Sequence, residues 1–337
     1  MSQLPPWLQA QLQQLLQQRG HALLLAGPAG LGQYPLALAL ARAWLCEQPG
    51  PEGACGTCSA CHAVDVRTHP DLCVLMPETL ALELGWPLDE KTQDKIDKKE
   101  IKPSRFIRVE AARQAVAFGQ FTRSRGATKV VLVYPAERLN VESANTLLKT
   151  LEEPAGALRF VLATEAAHAL LPTIRSRCQT HAMAWPGEAE AQRWLQEAAA
   201  AAGGRAAAAA DLEAWWHAAG GRPDEALEFA RLGLTAGLWA QLPQALARGD
   251  FQHVAEWPVP RLMDVLQKLC HDLMVRAAGG VPRFFAAAHL PPAPGMAALA
   301  RWHRELQAAA RTMEHPFNAG LQLEAWAQRT RQALALH

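Results

Sequence analysis

No stretch of this 337-residue chain is apolar over the roughly 18 residues that suggest a membrane span, so no membrane-embedded role is expected. An excess of charge of one sign is also lacking. Lys plus Arg number 33 and Asp plus Glu 32, whereas a protein that held nucleic acid by charge alone would be more basic. The opening stretch MSQLPPWLQAQLQQLLQQ has neither a basic leader nor a continuous apolar core, so it does not read as a secretory signal. It reads as an amphipathic helix that begins after Pro5 and Pro6 and is ended by Gly20. The seven cysteines lack the spacing of a disulfide framework. Four are clustered and Cys73, Cys178 and Cys270 are scattered, which in a long chain without an export signal favours a metal site plus buried thiols, and a cytoplasmic location.

Half of the residues (50%) are hydrophobic, enough to build the cores of two or three domains. The chain is organised around His21 to Leu40, HALLLAGPAGLGQYPLALAL. A buried strand runs into a turn containing Gly27, Gly30 and Gly32, and an apolar helix follows. This is the outline of a phosphate-binding loop, G-x-x-x-x-G-K-[ST], in which the Lys reaches the β/γ-phosphates and the hydroxyl holds Mg²⁺. Here Gln33 stands at the Lys position and Tyr34 at the hydroxyl position. A second loss agrees with the first. The strand KVVLVY, Lys129 to Tyr134, would end in Mg²⁺-binding and catalytic acids in a hydrolysing relative, but Tyr134 and Pro135 occupy those positions. Losing the Lys, the hydroxyl and both acids together argues against hydrolysis.

The segment CEQPGPEGACGTCSACH carries Cys46, Cys55, Cys58 and Cys61 in the spacing C-x8-C-x2-C-x2-C. Two steps that share Cys58 put three thiolates in a short turning loop, and Cys46 adds a fourth from the end of the preceding helix. Four thiolates without a His suit a tetrahedral structural Zn²⁺ closed to catalysis; free or redox thiols and an iron–sulfur cluster are the alternatives. Residues 79–102 end in a dense charge run, DEKTQDKIDKKEIK, expected to form an exposed hairpin or a poorly ordered insertion. A helix carrying Arg105, Arg108 and Arg113 is expected from Ser104 to near Gly119. From Lys98 to Lys129 there are nine Lys or Arg and two acidic residues, Glu100 and Glu110. That excess fits either a phosphate-facing surface or an ordinary solvated face.

Further on come the helix NVESANTLLKTLEEP (140–154), the strand RFVLAT (159–164), the turn LLPTIRSRC (170–178) and a last strand from Gln179. This strand–helix alternation implies a parallel α/β sheet. After Pro186 the composition turns Ala-, Leu- and Trp-rich and helical to the end.

The order of these features, with LLKTLEEP and SRC the most specific, resembles the clamp-loader subunits of bacterial DNA polymerase III, members of the AAA+ class. The resemblance implies an AAA+ sheet domain at 1–185, a small helical lid at 186–236 and a helical collar at 237–337. It implies a hetero-pentameric ring with ATPase subunits (gamma/tau) and a delta subunit, acting on a sliding clamp and primer-template DNA, within a complex that has DNA-directed DNA polymerase activity. Members that have lost ATP turnover carry a Ser-Arg-Cys motif whose Arg reaches a neighbour's nucleotide. Here the motif is Ser176, Arg177 and Cys178, making Arg177 the expected arginine finger. Without the motif, Arg177 would read as a cation near a helix C-terminus. The resemblance also implies zinc on Cys46, Cys55, Cys58 and Cys61, no bound ATP, and Asp224 where ATP-using members place a nucleotide-sensing Arg. The competing readings are a self-sufficient P-loop ATPase, with Lys129 or Arg42 replacing the missing charge, and a zinc-dependent nucleic-acid-binding protein.

Overall fold

The strongest apolar runs in the first half of the chain become strands of one parallel sheet. A computed structural model describes residues 4–124, 126–201, 208–312 and 318–335. It contains β1 (Ala22–Ala26), β2 (Leu72–Leu75), β3 (Lys129–Val133), β4 (Leu158–Thr164) and β5 (Gln179–Ala182), in the order β2-β3-β4-β1-β5. All neighbouring pairs are parallel, with Leu24 opposite Leu162 and Thr180, and Val131 opposite Cys73 and Phe160. β3 is buried throughout and β4 everywhere but Arg159, as strands covered on both faces must be.

The helices of this first unit, Met1–Pro186, are α1 (Pro6–Leu16), α2 (Gln33–Leu45), α3 (Ser59–Asp65), α4 (Glu78–Glu83), α5 (Glu90–Asp97), α6 (Val109–Gln120), α7 (Val141–Glu152) and α8 (Pro172–Arg175). α6 and α7 cover one face, where Ala112, Ala115, Leu147 and Leu151 share a core with Val131, Val133, Phe160 and Leu162. α2 packs on β1, β3 and β4, and α1 lies against α2. α7 starts where the Asn140 side chain accepts from Ser143 N at 2.7 Å, and it stops just before Pro154.

Two expectations need correction. Residues 79–102 form neither a β-hairpin nor a structureless insertion. They contain most of α4 and all of α5, the latter capped by the Asp89 carboxylate on Thr92 N at 3.1 Å. Between these helices Trp86 is 8% exposed and packs with Met76 and Ala81, so one aromatic anchors a stretch whose charge pattern reads as solvated. The following helix begins at Val109 rather than Ser104, because Ser104 turns the chain by donating its hydroxyl to Phe106 O at 2.8 Å.

The second unit, Gly187–His337, is helical: α9 (Glu188–Ala201), α10 (Ala209–Ala218), α11 (Pro223–Arg231), α12 (Ala236–Ala247), α13 (Val259–Ala277), α14 (Met296–Thr312) and α15 (Ala319–Leu334). Among the described residues, buried side chains from Leu195 to Leu334 share a core. α13 supplies Leu262, Leu266, Leu269 and Leu273 at helical spacing. The fully buried Asp272 carboxylate accepts from the backbone N–H groups of Arg283, Phe284 and Phe285 at 3.0, 2.8 and 2.8 Å. It thereby fixes the loop after α13. No helix among the described residues is long and apolar enough to cross a membrane.

Candidate functional site

The Gly-rich turn after β1 is closed by its own side chains. Gly30 and Gly32 take the left-handed conformation, φ 85° and 87°, which turns the chain into α2. A Cβ on Gly32 would lie 2.5 Å from Leu8 Cδ1, so α1 presses directly on the turn. Gln33 is 2% exposed, and its Nε2 donates to Gly27 O at 2.9 Å and Pro28 O at 2.7 Å. The amide ties the loop together from within, where a Lys would reach outward to a phosphate.

One residue on, the Tyr34 ring stacks on Tyr134 with centroids 5.2 Å apart, and its hydroxyl accepts from Trp86 Nε1 at 2.6 Å. Burial pushes the Tyr34 phenol up, against the lowering effects of the Trp86 hydrogen bond and the Arg67 charge. Tyr134 in turn donates to Glu165 Oε1 at 2.8 Å. Glu137, the nearest acid after β3, accepts from Thr164 Oγ1 at 2.7 Å and from Glu165 N at 3.2 Å. Trp86, Thr164, Glu137 and Glu165 were not singled out from sequence. A signal for Trp86 did exist, a lone Trp between Gly85 and Pro87 with Leu82, Leu84 and Leu88 around it. The two substitute cations are engaged elsewhere. Lys129 Nζ donates to Phe118 O at 2.7 Å and Phe121 O at 3.2 Å at the end of α6, and Arg42 pairs with Asp65 at 2.8 Å.

The four clustered cysteines converge. All four Sγ atoms lie within 4.8 Å of one another, Cys46 to Cys58 at 3.8 Å and Cys55 to Cys61 at 4.0 Å. Those distances are far beyond a disulfide bond. They match the roughly 3.8 Å edge of a tetrahedron with ~2.3 Å metal–sulfur bonds. N–H groups of Gln48 and Cys55 point at Cys46 Sγ, at 3.4 and 3.3 Å, and the N–H of Cys61 points at Cys58 Sγ at 3.4 Å. Such donors suit thiolates. The residues therefore fit a metal ion, which would tie the loop down. The same loop is held by α1, through Gln9 Nε2 on Glu52 O at 2.7 Å and Gln13 Nε2 on Glu52 Oε2 at 2.6 Å.

Arg177 sits at the opposite end of the sheet. It precedes β5 while the Gly-rich turn follows β1, and these strands are parallel with Leu23 opposite Gln179. Four strand residues at ~3.3 Å each separate the two ends by about 13 Å or more. Arg177 directs Nε and Nη2 at Glu152 Oε2, 3.1 and 3.0 Å away, and Nη1 at Thr173 O, 3.1 Å away. Ser176 is exposed, and its hydroxyl donates to Thr173 O at 3.2 Å. Cys178 packs against the sheet core, and burial pushes its thiol up to about 12. Asp224 lies in the first turn of α11, beside an Arg222–Glu225 pair at 2.6 Å.

The cations from Lys98 to Lys129 differ in their surroundings. Lys129 is buried, Arg108 pairs with Glu78 at 2.7 Å, and Arg125 lies outside the described residues. Lys98, Lys99, Lys102, Arg105, Arg113 and Arg123 are exposed.

A five-stranded parallel sheet in this order, with a Gly-rich turn after β1 and a helical second unit, is an AAA+-type architecture; its loop here is closed on itself. The family model described as DNA polymerase III, delta subunit, matches residues 5–185. DNA polymerase III subunit delta′ of Pseudomonas aeruginosa is 42% identical over 200 residues, 59% of this chain and 54% of that protein. Its counterpart in Yersinia pestis is 32% identical over 274 residues, 79% of this chain and 71% of that protein. Subunit tau of Escherichia coli is 31% identical over 158 residues, 47% of this chain and 20% of that one. The chain belongs to the delta′ family of DNA polymerase III subunits. Its match spans about half the length of the Pseudomonas relative, 54%.

Proposed function

We propose that this chain is a non-hydrolysing clamp-loader subunit that supplies Arg177 in trans to a neighbouring ATPase subunit. The observation that carries the reading is the Gln33 side chain, which donates to Gly27 O and Pro28 O and so closes the loop that would hold nucleotide. Arg177 is partly exposed at the other end of the sheet, too far to serve its own loop but open to another chain. A planar, permanently charged donor suits the charge that develops on a γ-phosphate during hydrolysis. A self-sufficient ATPase is disfavoured, because Lys129 and Arg42 are committed to other partners.

In this reading the neighbours are gamma/tau subunits and a delta subunit in a hetero-pentamer, working in the cytoplasm. The complex acts on a sliding clamp and primer-template DNA, and the exposed Lys98, Lys99, Lys102 and Arg113 are candidates to meet phosphate. Residues 186–236 serve as the lid and 237–337 as the collar. Cys46, Cys55, Cys58 and Cys61 hold a structural Zn²⁺ that adds a fixed tetrahedral crosslink to the loop after α2.

The test is assembly with the ATPase and delta subunits, followed by ATP hydrolysis with clamp and primed DNA. Arg177→Ala should leave folding and assembly intact. The one site it serves should slow by on the order of 10³-fold, as in-trans arginines do elsewhere. The purified chain alone should show no Mg²⁺-dependent ATP binding. Tight binding by the lone chain, or an unchanged rate in the Arg177→Ala ring, would defeat the reading.

A further inference from the structure

We propose that Glu152 is the positioning residue for Arg177, a role that rests on the in-trans reading given above. Glu152 is the last residue of α7, and Arg177 follows α8, 25 positions along the chain. A guanidinium has five N–H donors in a rigid planar fork. Here the side edge of that fork, Nε and Nη2, meets a single oxygen, Glu152 Oε2, at 3.1 and 3.0 Å. One hydrogen of Nη1 goes to Thr173 O at 3.1 Å, with Ser176 Oγ 3.5 Å from the same nitrogen. That leaves the second hydrogen of Nη2, at the end of the fork, for an anion such as a phosphate oxygen.

The arrangement has the form of a cradle. Two elements of this chain's own fold hold the guanidinium at its side and its base, and its end remains available. A free Arg side chain samples many rotamers, and that freedom is lost when the group binds an anion. Held by Glu152, Arg177 loses part of it before the neighbour's nucleotide is met. The pair is partly exposed, 30% on the Arg side and 58% on the Glu side. Its influence is therefore modest, a factor of up to about five for an ion pair of this exposure. An uncharged acceptor at position 152 would still take one hydrogen bond but would orient the cation less firmly.

The experiment uses the assembled clamp loader with ATP, clamp and primed DNA as the probe, and separates kcat from KM. Glu152→Ala should lower the DNA-stimulated kcat by up to about fivefold with KM for ATP unchanged, and Glu152→Gln should fall between it and the unaltered ring. In the Arg177→Ala background, Glu152→Ala should change nothing further. Suppose Arg177→Ala slows the ring but Glu152→Ala does not. The positioning role is then overturned while the finger stands. If Arg177→Ala itself has no effect, the in-trans reading fails and takes this one with it. An equal loss from Glu152→Ala in both backgrounds, or a ring that no longer assembles with it, would show Glu152 acting as an interface contact and overturn the proposal.

Discussion

Replacing Gly32 with Ala tests what holds the Gly-rich turn in shape. Gly32 has φ +87°, and an added Cβ would stand 2.5 Å from Leu8 Cδ1, on a side chain only 1% exposed. Two costs combine. A non-Gly residue in the left-handed region costs about 1–2 kcal/mol. A carbon pair forced about 1 Å inside its ordinary separation, in a filled core, costs about 1–3 kcal/mol. The sum is ~2–5 kcal/mol on the first unit. Hydrogen exchange reads this directly. Amides of β1 and β4 should exchange faster by the corresponding factor, ~30-fold or more, while amides of α13 in the second unit serve as the control. Leu8→Ala alone should also destabilise, by about 2–5 kcal/mol. In the double variant the clash disappears, so the two losses should fall short of additive by about 0.5–3 kcal/mol. Strict additivity, or a Gly32→Ala protein with unchanged β1 exchange, would refute the argument that α1 packing holds the turn.

The cysteine loop and the loop after α13 can be tested in the same way. Purified protein should carry about one zinc per chain, and Cys58→Ser should lose it, because a closed tetrahedral site needs all four thiolates; stoichiometric metal in the variant would show the ligand set to be wrong. Asp272→Ala strands three backbone N–H groups and should lower the stability of the second unit by about 3 kcal/mol or more, measured by thermal unfolding, with the exchange of β3 amides unchanged.

The sheet was legible because its strands are apolar runs bounded by turn residues, so β1, β3 and β4 could be read within a residue or two. The cysteine site was legible because its ligands are close in sequence. Two other features were hidden for opposite reasons. The charge run between Asp89 and Lys102 masked Trp86, the residue that anchors the segment and bonds Tyr34, because one buried aromatic weighs little against many charges. Lys129 counted as one more surface cation, yet its ammonium completes the carbonyl end of α6. The Glu152–Arg177 pair joins residues 25 apart, and only the folded α7–α8 geometry brings them together. Sequence periodicity reports which face is buried, whereas pairings of this kind depend on tertiary placement.

Helix α1 gives the chain a mechanical link between its two specialised loops. Leu12 and the glutamines Gln9 and Gln13 grip the cysteine loop at Gly53 and Glu52, and Leu8, one turn earlier, bears on Gly32. An 11-residue helix is a strut about 16 Å long. With a metal on the four cysteines, its removal would loosen the strut's footing and pass the slack to the glycine turn. A metal crosslink in the cysteine loop would thus stiffen the sheet domain well beyond the residues that hold it.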